Sequence, residues 1–84
     1  MTYQLFLLPR AQKELARLPM ESYERTRAAI RALAEEPRPP GYRKLSGREG
    51  WRIRVGDYRV LYEIEDTPKT VTVVQVGHRR DVYR

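Results

Sequence analysis

Apolar and polar residues alternate strictly in one stretch of this chain, and the other elements arrange themselves around it. Over residues 51–62, Trp51, Ile53 and Val55 alternate with Arg52 and Arg54, and Tyr58, Val60 and Tyr62 then alternate with Arg59 and Leu61. A period of two predicts half-buried strands. Between the two runs stands Gly56-Asp57. Glycine at the first turn position permits the positive φ of the primed turns, whose twist matches the strands they join. A two-residue turn fixes the register: Val55 opposite Tyr58, Arg54 opposite Arg59, Ile53 opposite Val60, Arg52 opposite Leu61, Trp51 opposite Tyr62. Directly opposed residues share a face. One face is therefore Trp51, Ile53, Val55, Tyr58, Val60 and Tyr62, a core, and the other is Arg52, Arg54 and Arg59 with Leu61.

The remaining elements follow by the same reasoning. Residues 2–8, rich in aromatic and branched side chains, predict a first strand that Pro9 ends. Proline suits a first helical turn, and Ala11, Leu15 and Leu18 recur at helical spacing with Arg10, Lys13, Glu14 and Arg17 outside. Pro19 breaks that helix, and a second over residues 20–35 has Met20, Tyr23, Ile30, Leu33 and Ala34 as its buried stripe. Residues 37–41, Pro-Arg-Pro-Pro-Gly, form a stiff connector. Residues 42–46 start another strand, and residues 47–50 are a flexible loop carrying Arg48. The near-continuous apolar run 70–76 predicts a strand covered on both faces or in a central place in the sheet. The order β-α-α-β-β-β implies an α+β fold: a helical hairpin packed on a largely antiparallel sheet, leaving the arginine face open.

Composition narrows the chemistry. An 84-residue chain is one small domain, here 1–84, with a modest core. No cysteine is present and His78 is the only histidine, so no disulfide framework or metal site is expected. No apolar run suits a signal peptide or a membrane span, and a cytoplasmic protein is expected. The net charge of +6, carried mostly by arginine, gives a pI near 10.1. That balance favours a polyanionic partner: RNA, DNA or an acidic protein.

Phosphate transesterification needs a base for the attacking hydroxyl, cations on the phosphate and an acid for the leaving oxygen. Arg52, Arg54, Arg59, Arg79 and Arg80 are candidate cations, with Tyr62 and Tyr83 as stacking platforms for a base. His78 alone has an ordinary pKa suited to proton transfer near neutrality. Each has a plainer alternative: strand arginines paired with Glu63 or Asp57, Tyr62 in the core, His78 ending a strand, Arg79 and Arg80 in a basic tail. What favours a site is convergence of three hairpin arginines with a basic, aromatic tail.

These residues carry a resemblance across almost the whole chain. Ala11-Gln12-Lys13-Glu14-Leu15-Ala16-Arg17-Leu18-Pro19, Lys44-Leu45-Ser46-Gly47, the arginine hairpin and Val76-Gly77-His78-Arg79-Arg80-Asp81-Val82-Tyr83 resemble RelE-like toxins of the RelE/ParE toxin–antitoxin superfamily. The resemblance implies a microbial-RNase-like fold and a ribosome-dependent endoribonuclease (an mRNA interferase) that cuts mRNA in the ribosomal A site. No cofactor is implied, and a cognate acidic, RelB-like antitoxin silences the activity. Its functional positions fall here on Arg52, Arg54, Arg59, Arg79 and Tyr83; Arg48 and Arg80 are, from their charge, further candidate RNA contacts. The best-studied family pattern has lysines where this chain has Arg52 and Arg54. Arginine does not give up its proton, so the base is left to His78, an anionic Tyr83 or the substrate itself. The superfamily's ParE branch, which targets DNA gyrase, and a non-catalytic nucleic-acid-binding module are the alternatives.

One register decides which tail residue joins the site. A four-residue loop, residues 66–69, puts Arg59 opposite Val76, and His78 and Arg80 then continue its face. A loop one residue longer, or a bulge of the same effect, puts Gly77 opposite Arg59 and sends Arg79 to that face. The resemblance selects the second.

Overall fold

The structure is a computed structural model and describes residues 2–78. Its elements are β1 (Gln4–Leu7), α1 (Pro9–Ala16), α2 (Met20–Ala32), β2 (Arg43–Lys44), β3 (Trp51–Val55), β4 (Tyr58–Glu65) and β5 (Thr70–His78). They form a five-stranded sheet of order β1-β5-β4-β3-β2. β1 runs parallel to β5 and the remaining pairs are antiparallel. The α+β architecture is the expected one, and the apolar strand β5 is an inner strand, between the edge strand β1 and the central β4.

Both helices lie on the face that bears Ile53, Val60 and Tyr62, where the main core gathers Ala11, Leu15, Ile30 and Leu33 against Val71, Val73 and Val76. Pro9 stands at the first position of α1 and Pro19 caps the start of α2, as their fixed φ favours. The buried stripe of α2 differs from the expected one. Met20 is 74% exposed because it opens the helix beyond the sheet's cover, and Thr26 is buried in its place. α2 also stops at Ala32, ahead of Ala34.

The connector is tied to the far end of the sheet. Tyr62, fully buried, donates its hydroxyl hydrogen to the Pro37 carbonyl at 2.7 Å. Burial pushes this phenol's pKa well up, so it stays a neutral donor. Its place in the core removes it as a platform for a stacked base. At the surface Arg38 grips Asp66 with both guanidinium nitrogens, at 3.2 and 3.0 Å, while the Tyr3 hydroxyl donates to the same carboxylate at 2.7 Å. The Arg38 and Tyr3 hydrogen bonds hold the Asp66 carboxyl below its usual range.

The β4–β5 pairing resolves the register. Glu65 faces Thr70 across a four-residue turn, which alone would put Arg59 opposite Val76. An extra residue on β5 corrects the count: Tyr62 faces Val73 whereas Leu61 faces Gln75, so Val74 is the bulged residue. Beyond the bulge Arg59 faces Gly77. This is the bulge alternative of the sequence expectation.

Candidate nucleic-acid interface

The five hairpin pairs form as the turn arithmetic requires, from Val55–Tyr58 to Trp51–Tyr62. Gly56 takes φ 59°, the positive value that the turn demands. The second sheet face thus carries a row running across three strands: Arg54 on β3, Arg59 on β4 and Gly77 on β5. Arg52 stands two residues from Arg54 on the same face, opposite Leu61.

Arg59 departs from the open position expected for it. It is only 8% exposed, because β4 is paired on both sides at that position, whereas Arg54 is exposed on β3, whose outer neighbour β2 pairs only with Trp51 and Arg52. A small apolar island, Leu45 and Leu61 with Val74 against them, stands on the same face as Arg59. The bulge delivers Val74 to that island. Gly50 makes room for it: φ is 118°, and a Cβ there would come within 3.1 Å of both Leu45 Cδ1 and the Tyr62 carbonyl oxygen.

His78 faces Tyr58, with ring centroids 5.8 Å apart and edge-on. The pairing puts it on the helix-bearing face, not beside Arg59. Arg48 is exposed in the loop before β3. Arg79, Arg80 and Tyr83 lie outside the described residues. Gly77 opposite Arg59 is the pairing on which the expectation for Arg79 depends.

Two residues escape sequence reasoning. Arg43, on the short edge strand β2, pairs with Arg52. Arg43, Arg52 and Arg54, with Pro40, Gly41 and Ile53, line a cleft of about 350 Å³. None of the three arginines forms an ion pair or side-chain hydrogen bond among the described residues. Lys44 places its ammonium 5.3 Å from the Trp51 ring centroid, which anchors the edge strand to β3. Glu14, expected in solvent, is the other. Its Oε1 accepts a hydrogen bond from the Val76 amide at 2.8 Å, and its Oε2 meets Arg10 Nε at 2.9 Å. β1 stops pairing with β5 at Val73, so Glu14 satisfies an amide that no strand reaches, one residue before Gly77. No sequence signal separates it from the other charges of α1; Lys44-Leu45 followed by Gly50-Trp51 is the only hint of the β2–β3 pairing that brings in Arg43.

A helical hairpin on one face and an arginine row on the other define a class that comparison identifies. The family described as "ParE toxin of type II toxin-antitoxin system, parDE" matches residues 5–83, and the chain belongs to this RelE/ParE superfamily of toxins. Toxin RelG of Mycobacterium tuberculosis is 34% identical, over 100% of this chain and 99% of its own. The archaeal RelE–RelB complex from Pyrococcus horikoshii superposes with a TM-score of 0.83 at 30% identity, covering 98% of this chain and 100% of that one. The isolated E. coli RelE toxin gives 0.77 at 30% identity, covering 96% and 90%. Among the described residues no helix is long and apolar enough to cross a membrane.

Proposed function

We propose that this toxin is a ribosome-dependent mRNA endoribonuclease held in check by an acidic antitoxin. The observation that carries the reading is the Arg54–Arg59–Gly77 row on the face the helices leave uncovered. The attacking group is the substrate's ribose 2′-hydroxyl. Its oxygen bonds to the adjacent phosphorus as its proton leaves, the bond from phosphorus to the 5′-oxygen breaks, and that oxygen takes up a proton from solvent, so that a cyclic phosphate and a free 5′-hydroxyl result. Arg59 and Arg79 hold the phosphate and stabilise the charge that develops on it. Arg52 and Arg54 take neighbouring phosphates, Arg48 and Arg80 make outer RNA contacts, and Tyr83 stacks on or polarises the nucleotide.

Arginines supply charge and not proton abstraction. Because His78 pairs with Tyr58 on the other face, two acceptors fit the 2′-hydroxyl proton: the Tyr83 phenolate or a phosphate oxygen of the substrate. The ribosome's part is to present one codon of mRNA in the orientation that this face cannot impose alone.

The P. horikoshii relative is described as a RelE–RelB complex, which supports a cognate antitoxin here. A chain of net charge +6 is matched by an acidic partner that covers or distorts the arginine face. The family's ParE description keeps gyrase as the second reading. Primer extension on translated mRNA after induction separates them. New mRNA ends within codons support the nuclease; DNA damage that depends on gyrase, without new mRNA ends, supports the second.

A further inference from the structure

β2 pairs with β3 only at Trp51 and Arg52, so the outer edge of β3 beyond Arg52 meets the proline connector instead of a strand. Pro40 and Gly41 form one wall of the cleft there, Ile53 adds apolar surface, and among the described residues Arg43, Arg52 and Arg54 supply the charged side chains of its lining. Arg43 and Arg52 are cross-strand partners on one face. Arg54 follows about 7 Å further along β3, from the rise of two strand residues. Three guanidiniums around one cleft, with no carboxylate among the described residues of its lining, repel one another until an anion enters. Arginine's planar fork suits the paired oxygens of a phosphate.

The position of the cleft decides between anions. Arg54 belongs both to the cleft and to the row that runs through Arg59. The distance from β2 to β4 is two strand spacings, about 10 Å. A chain with repeating phosphates can therefore occupy the row and the cleft together. We propose that Arg43 completes, with Arg52 and Arg54, a binding cleft for an RNA backbone phosphate flanking the one under attack. This rests on the nuclease reading above only for which phosphate is attacked.

A short single-stranded RNA with every 2′-hydroxyl methylated binds without being cut, so the test does not depend on catalysis. Binding to this oligonucleotide, and to ribosomes with an empty A site, is measured over a range of salt for wild type, Arg43→Gln and Arg43→Lys. Arg43 is exposed, and unchanged melting temperatures verify that the variants fold. Each phosphate neutralised on a single strand contributes about 0.7 to the slope of log K against log salt. Arg43→Gln is expected to bind several-fold more weakly and to lose about that much slope. Arg43→Lys keeps the slope and recovers only part of the affinity. A defect on the oligonucleotide supports a phosphate of the mRNA, and a defect only on empty ribosomes places the contact on ribosomal RNA and overturns the proposal. Unchanged slope and affinity on both overturn the proposal, as does a defect confined to binding of the purified antitoxin. If the RNA contacts through Arg43 appear but no mRNA is cut, the cleft stands and the nuclease reading fails.

Discussion

Replacing Glu14 tests whether one carboxylate holds the strand that faces Arg59. The last backbone hydrogen bond from the β1 end to β5 is the Leu8 amide to the Val73 carbonyl at 3.0 Å. Three residues on, the buried Val76 donates its amide hydrogen to Glu14 Oε1 at 2.8 Å. Glu14→Ala leaves that amide with no protein acceptor. An unsatisfied buried donor costs about 1–3 kcal/mol, and hydrogen bonds to charged groups are worth about 1.5–3. The Glu14 side chain is 25% exposed, so water recovers part of the loss, and about 1.5 kcal/mol is expected. For a domain of this size that lowers the melting temperature by about 6–12 °C. Glu14→Gln keeps an acceptor oxygen and loses only the charge, so it falls between wild type and alanine. Arg10→Ala controls for the Arg10–Glu14 ion pair. With Arg10 65% exposed, that pair is worth at most about 0.5 kcal/mol. Thermal unfolding by circular dichroism ranks the three variants, and amide exchange at Val76 and Gly77 reports whether the strand itself loosens. If Glu14→Ala melts with Arg10→Ala and the two amides stay protected, the carboxylate does not anchor β5.

Tyr62→Phe removes the donor to the Pro37 carbonyl and is expected to lower stability by about 1 kcal/mol, read from the midpoint of urea unfolding with unchanged m. Gly50→Ala places a Cβ 3.1 Å from Leu45 Cδ1 and the Tyr62 carbonyl at φ 118°; a loss of about 1–3 kcal/mol is expected by the same assay, and wild-type stability would show that the loop relaxes freely. The Asp66 carboxyl, held low by Arg38 and Tyr3, titrates below its unfolded value of about 3.9. Its contribution is therefore present above that pH and lost as the pH falls through the folded pKa. Asp66→Asn should flatten the acid limb of stability against pH below about pH 4, and an acid limb identical to wild type would rule out the link.

Much of this was legible because local rules fixed it. The Gly56-Asp57 turn determined five cross-strand pairs, and with them the shared face of Arg52, Arg54 and Arg59. The Gly77 partner of Arg59 was legible only as one of two registers, because a bulge at Val74 leaves no compositional mark in a near-continuous apolar run. Glu14 looked like any exposed helix charge; its role depends on where β1 stops, a tertiary fact. Arg43 was hidden because a two-residue strand has no period to detect. Arg59 was assigned to the correct face but not to its burial, since strand order in the sheet does not follow from the pairing of one hairpin.

On the proposed function, this arginine face cuts mRNA and needs the ribosome to do so. Purified toxin is incubated with an mRNA, either free or programmed on ribosomes with an empty A site, and the product ends are mapped. Cleavage only on the ribosome is expected, leaving a cyclic phosphate and a 5′-hydroxyl. Arg59→Gln, verified as folded, is expected to slow it by 10²-fold or more, roughly 3 kcal/mol of transition-state stabilisation for one preorganised donor. Intact mRNA on programmed ribosomes, alongside inhibited gyrase supercoiling, would contradict the nuclease reading.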